Sequence, residues 1–133
     1  MNLVYPVLAQ IAWTFVVLAI MFRARVQARQ AGVKMSDIAL SGEGWPPEAR
    51  AAGNNFSNQF ETPVLFYALC GVATYVAATN WLMTLFAWIF VASRIVHTFI
   101  HTGSNRVPVR AQIYAVGIVA LFAMFVGILL KVL

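Results

Sequence analysis

Charge is what this chain has least of: 10% of its 133 residues are Asp, Glu, Lys or Arg, against roughly one-quarter in soluble domains. With 62% hydrophobic residues and a mean hydropathy of +0.80, lipid is the expected solvent. A single cysteine, Cys70, excludes an intrachain disulfide and any metal site built on cysteines. Lys and Arg are missing from Met1 to Gln10, so the first apolar run lacks the basic start of a secretory signal and is expected to be a retained span. Period-2 alternation is missing as well, and an open sheet has no way to satisfy its edges in hydrocarbon, so strands are not expected. The chain shows neither an internal repeat nor a low-complexity segment. Four spans of about 20 residues each would consume most of it, leaving no room for a separate soluble domain.

What is present is a series of apolar runs with polar punctuation. The first runs from Leu3 to about Phe22 and ends at the basic stretch Arg23 to Lys34. Val33 to Gly53 contains Gly42, Gly44, Pro46 and Pro47 together with Asp37, Glu43 and Glu48, which reads as a water-exposed loop. A second helix is expected over about 54–79, with Asn54, Asn55, Ser57, Asn58, Gln59 and Glu61 ahead of the apolar run from Val64. Asn80 marks a tight connection to a third helix over about 81–102. Gly103, Ser104, Asn105 and Pro108 form the next turn, before a fourth helix over about 109–132. The expected fold is all-α: one transmembrane domain built as a four-helix bundle.

The formal charge of +5 and a pI near 10.0 would suit nucleic acid or an anionic surface. Position decides between them. Arg23, Arg25, Arg29 and Lys34 follow the first span, and Arg106 and Arg110 lie between the last two, where basic residues mark cytoplasmic loops. The bilayer, not nucleic acid, is therefore the expected partner. By parity both basic loops share one side, which places both termini outside; the short loops suit a bacterial inner membrane.

Several residues do not belong in lipid. Asn54, Asn58 and Glu61 fall at i, i+4 and i+7, forming one polar stripe on the second helix, and Arg94, His97 and His101 fall at i, i+3 and i+7 on the third. A charge inside a span costs roughly 2.5 to 3.5 kcal/mol on insertion scales, so such groups face the bundle or a wet cavity. Two readings stay open: a structural Glu61–Arg94 ion pair that fixes helix register, or a cavity for a polar, acidic ligand. The donors of Arg94, Arg106, Arg110, Asn54 and Asn58 exceed what one carboxylate can absorb, which favours an acidic ligand. His97 and His101 read as hydrogen-bonding residues, because the helix offers no third metal ligand and the arginines repel a cation; no metal is expected. Cys70 reads as a small buried apolar residue. Pro63 should kink the second helix and free carbonyls near Gln59. Gly71, Gly117 and Gly127 read as points of close helix contact.

The run Asn58-Gln59-Phe60-Glu61, the run Arg94-Ile95-Val96-His97 and the run Arg106-Val107-Pro108-Val109-Arg110 resemble the MAPEG family, the membrane-associated proteins in eicosanoid and glutathione metabolism. The resemblance implies a homotrimer with glutathione bound between neighbouring subunits near the cytoplasmic face. It implies a glutathione-dependent transferase or peroxidase acting on small lipophilic substrates from the membrane. By position, Asn58 and Glu61 would hold the peptide's backbone and amino end, and Arg94 and His97 would support its carboxylates. Arg110 would stabilise the thiolate, with Arg106 as the runner-up, and Arg23 would reach the same site from the first helix. Asn54 stands where many members place an arginine, His101 where several have a tyrosine, and Ala111 where one branch has a serine. The Asn54 difference keeps a second reading in play, a non-catalytic accessory or structural subunit associated with other membrane proteins. A small transporter built on Glu61 and Arg94 is a third.

Overall fold

The helices begin where a proline or a side-chain acceptor suits the first turn. In the computed structural model, which describes residues 2–133, α1 spans Val4–Gln30, and Asn2 Oδ1 accepts from the Val4 amide at 2.9 Å. A short α2 (Met35–Ile38) and a 3-10 turn (Gly42–Gly44) lie in the connection that follows. Proline occupies the first turn of α3 (Pro47–Ser57), α4 (Thr62–Tyr75) and α6 (Val107–Val132), where its missing N–H leaves no bond unmade. α5 (Trp81–Thr102) is capped by Asn80, whose Oδ1 accepts from the Met83 amide at 2.9 Å. Among the described residues there is no strand.

Two of the expected helices differ from the sequence reading. α1 continues about two turns past Phe22, because Arg, Gln and Ala are good helix formers and the basic stretch stays in helical conformation. The single helix expected over 54–79 is instead two. α3 starts at Pro47, inside the segment expected to be loop, and is parted from α4 by a 3-10 turn (Asn58–Phe60) and by Glu61 at φ −96, ψ −100. Pro63 has no N–H to give the Gln59 carbonyl, and its ring crowds the turn before it, so the anticipated kink becomes a complete break. α4 ends at Tyr75, short of the expected Thr79, and Ala77 turns the chain through the left-handed region at φ 54.

α1, α5 and α6 are long and apolar enough to cross a membrane. α4 has 14 residues, fewer than the ~20 of a full straight span. α5 and α6 form the most extensive helix pair. Their backbones meet closely at Gly117, where an added Cβ would lie 2.7 Å from Ser93 Oγ. Gly127 likewise faces Met83, whereas among the described residues nothing lies within 4 Å of a Cβ at Gly71, so the contact expected there is not made within one chain. Phe66 and Phe90 stack with centroids 4.7 Å apart in a core that includes Val91, Leu121 and Met124. Phe15, Phe22, Val119 and Phe122 point outward, an apolar surface suited to acyl chains.

A buried polar ladder fixes how α1 sits on the others. Gln10 Nε2 donates to Gln59 Oε1 at 3.2 Å, and Gln59 Nε2 donates to the Asn55 carbonyl at 3.2 Å. Trp13 Nε1 donates to Thr98 Oγ1 at 3.2 Å, and that hydroxyl lies 3.4 Å from Asn55 Oδ1 and 3.1 Å from the Arg94 carbonyl. Asn55 and Gln59 therefore turn into the bundle, opposite to their neighbours Asn54 and Asn58. That division of the polar start of the second rod gives it a structural face and an open face.

Candidate functional site

The break between α3 and α4 supplies the first element of the site. A continuous helix would have consumed the Asn58 carbonyl; here Arg94 Nη2 donates to it at 2.9 Å. Arg94 is 2% exposed, and among the described residues its Nε and Nη1 have no hydrogen-bond partner, nor does the buried Nδ1 of His97. The Glu61–Arg94 ion pair considered from sequence does not form, since Arg94 turns to the Asn58 carbonyl and Glu61 is exposed. The Asn58 carbonyl, next to Gln59, is thus one of the freed carbonyls anticipated there, while the Gln59 side chain joins the internal ladder.

Beside this arginine opens a cleft of about 740 Å³. Arg50, Asn54, Asn58 and Glu61 form one wall, His97 and His101 on α5 a second, and Arg110, Ala111 and Tyr114 on α6 a third. Asn105, in the left-handed region at φ 47 on the α5–α6 turn, completes the rim. Its Oδ1 accepts from Arg110 Nη1 at 2.7 Å, and that nitrogen lies 3.5 Å from His101 Nδ1, so two partners aim the guanidinium. The His97 and His101 rings are 5.6 Å apart. The Tyr114 ring lies 6.0 Å from that of His97 and 6.0 Å from the Arg94 guanidinium carbon. Two arginines and one glutamate line the cleft with a third arginine behind it, so the surplus is cationic.

Six of the residues anticipated from sequence line this cleft: Asn54, Asn58, Glu61, His97, His101 and Arg110. Arg94 lies just behind the wall. Arg23 and Arg106 do not reach it. Arg23 sits in a shallow groove on the open face of α1 with Phe15, Phe22 and Val26, because α3 packs against a different face of that helix. Arg106 precedes α6 at φ −68, ψ 104, so its four-residue spacing from Arg110 does not put the two on one helical face. Sequence reasoning missed Arg50, Asn105 and Tyr114. Arg50 is four residues before Asn54 and Tyr114 four after Arg110, so each extends a polar stripe by one turn. Among the described residues no cluster of His, Cys, Asp and Glu can hold a metal.

The fold and the cleft define an integral membrane helical protein with a cationic, polar pocket opening at its basic end. Both basic connections meet there, since α3 and the α5–α6 turn border the same cleft. The chain belongs to the MAPEG family, whose family model matches residues 3–130. That family includes glutathione transferases and peroxidases as well as other members. Neither a curated protein nor a solved structure matches the chain.

Proposed function

We propose that the protein is a glutathione-dependent transferase or peroxidase acting on lipophilic electrophiles drawn from the membrane. The observation that carries this reading is the set of buried donors, Arg94 Nε and Nη1, with no hydrogen-bond partner among the described residues, set behind a cleft lined by Arg110, Arg50 and Glu61. Glutathione carries two carboxylates and one ammonium, and arginines with a single glutamate complement that charge pattern. Bound there, the tripeptide supplies a thiol whose deprotonated form is the nucleophile. Asn58 and Glu61 bind its backbone and amino end, and Arg94 and His97 support carboxylate. Arg110, aimed by Asn105 and His101, places positive charge at the sulfur. Val107 and Ala111 offer an apolar lining to the second substrate.

In this reading the protein is a homotrimer, and Arg23, exposed on α1, is offered to the site of a neighbouring subunit. The basic end faces the cytoplasm of a bacterial inner membrane and both termini face out. The purified protein is expected to conjugate glutathione to chlorodinitrobenzene or to reduce cumene hydroperoxide. Arg110→Ala is expected to remove turnover while the oligomer persists; activity undiminished by that change would refute the role. One observation favours a non-catalytic accessory subunit instead: Asn54 is neutral, and Arg23 and Arg106 lie outside the cleft of their own chain. Stable co-purification with other membrane proteins, without glutathione binding, would select it.

A further inference from the structure

We propose that Arg50 is a ligand-binding residue, receiving the carboxylate at the glycyl end of the peptide, an inference that rests on the glutathione reading above. Arg50 lines the mouth of the cleft on the same helical face as Asn54 and Asn58. Its Nη2 donates to the Glu43 carbonyl at 2.7 Å and to the Trp45 carbonyl at 3.3 Å. Those two bonds use one corner of a five-donor fork, and Nε and Nη1 have no partner among the described residues. The loop carbonyls thus hold the guanidinium in place and leave an edge open for a carboxylate, the geometry in which arginine binds most strongly. The loop is itself anchored, because Arg25 lies 5.4 Å over the Trp45 ring.

Charge placement says which end of the peptide meets Arg50. Glu61 is the one carboxylate lining the cleft, and Arg94 lies beside the same helix break. An ammonium and a carboxylate on one carbon, as at the γ-glutamyl end, fit that pair. The remaining carboxylate then points toward the mouth. Both residues line the one cleft, Glu61 at the helix break and Arg50 a little over two turns nearer the start of α3 than Asn58. Arg110, whose Nη1 is turned to Asn105 and His101, is assigned to the sulfur in that reading.

The test compares glutathione with its glycyl ethyl ester, by titration calorimetry on the detergent-solubilised full chain. The unaltered protein is expected to prefer the free acid by about tenfold or more. In Arg50→Gln, which removes the charge and the fork, that preference should vanish while affinity for the ester is retained. Should Arg50→Gln not fold, Arg50→Lys, which keeps the charge but loses the fork, should show a preference reduced severalfold. A preference that persists undiminished in the substituted protein overturns the role of Arg50 and leaves the glutathione reading standing. Equal loss of both ligands on substitution marks Arg50 as a support for the loop and also overturns it. Failure of the unaltered protein to bind either compound removes the glutathione reading and this one with it.

Discussion

Replacing Arg94 with methionine separates a residue kept for ligand from one kept for structure. The side chain is 2% exposed, yet it makes one side-chain hydrogen bond, from Nη2 to the Asn58 carbonyl, and leaves Nε and Nη1 unpartnered. Removing the bond costs about 1.5 to 3 kcal/mol, since its donor is charged. Against that, a buried ion carries a desolvation penalty of several kcal/mol that one hydrogen bond does not offset. Methionine fills the space of the aliphatic stem and adapts to irregular gaps. The two effects nearly cancel, so Arg94→Met should lie within about 1 kcal/mol of the parent in unfolding stability, or be more stable. Glutathione affinity should fall by about thirtyfold or more, as a charge-assisted contact is lost. Unfolding in detergent followed by circular dichroism, with calorimetric titration of glutathione, gives both numbers. Destabilisation by more than about 3 kcal/mol with glutathione affinity intact would show that Arg94 is a structural group and refute the reasoning.

The other expectations concern packing and position. Gln10→Leu should lower stability by about 0.6 to 1.7 kcal/mol, the range for hydrogen bonds between membrane helices, because it breaks the bond to Gln59; thermal unfolding in micelles measures it. Gly117→Ala places a Cβ 2.7 Å from Ser93 Oγ and should cost about 1 to 3 kcal/mol. Adding Ser93→Ala should recover part of that loss, a coupling that a double-mutant cycle detects. Arg106→Ala should leave turnover within about twofold of the parent, since Arg106 lies outside the cleft. Arg110→Ala, in the same assay, should not.

How far the sequence could be read depended on whether a feature is local. α5 and α6 were legible because each is a continuous apolar run with its own start signal, the Asn80 cap and Pro108. Pro63 announced a disturbance in the second rod, but its extent depends on Arg94 taking up the freed Asn58 carbonyl from another helix. Asn55 and Gln59 looked like part of one polar start. Only the docking of Gln10 and Thr98 assigns them to the interior and leaves Asn54 and Asn58 to the cleft. Arg50 was hidden by the prolines and glycines around it, which suggested loop; in fact Pro47 opens α3 and puts Arg50 on the stripe. Which of Arg106 and Arg110 lines the cleft turned on one boundary, since α6 starts at Val107 and only Arg110 lies within it.

Imaging the detergent-solubilised protein with saturating glutathione, at a resolution that shows side chains, bears most directly on the assignment of the cleft. Tripeptide density is expected between Asn58, His101 and Arg110, with a carboxylate against Arg94 and the sulfur beside Arg110. An empty cleft under those conditions, or glutathione bound only elsewhere, would contradict it.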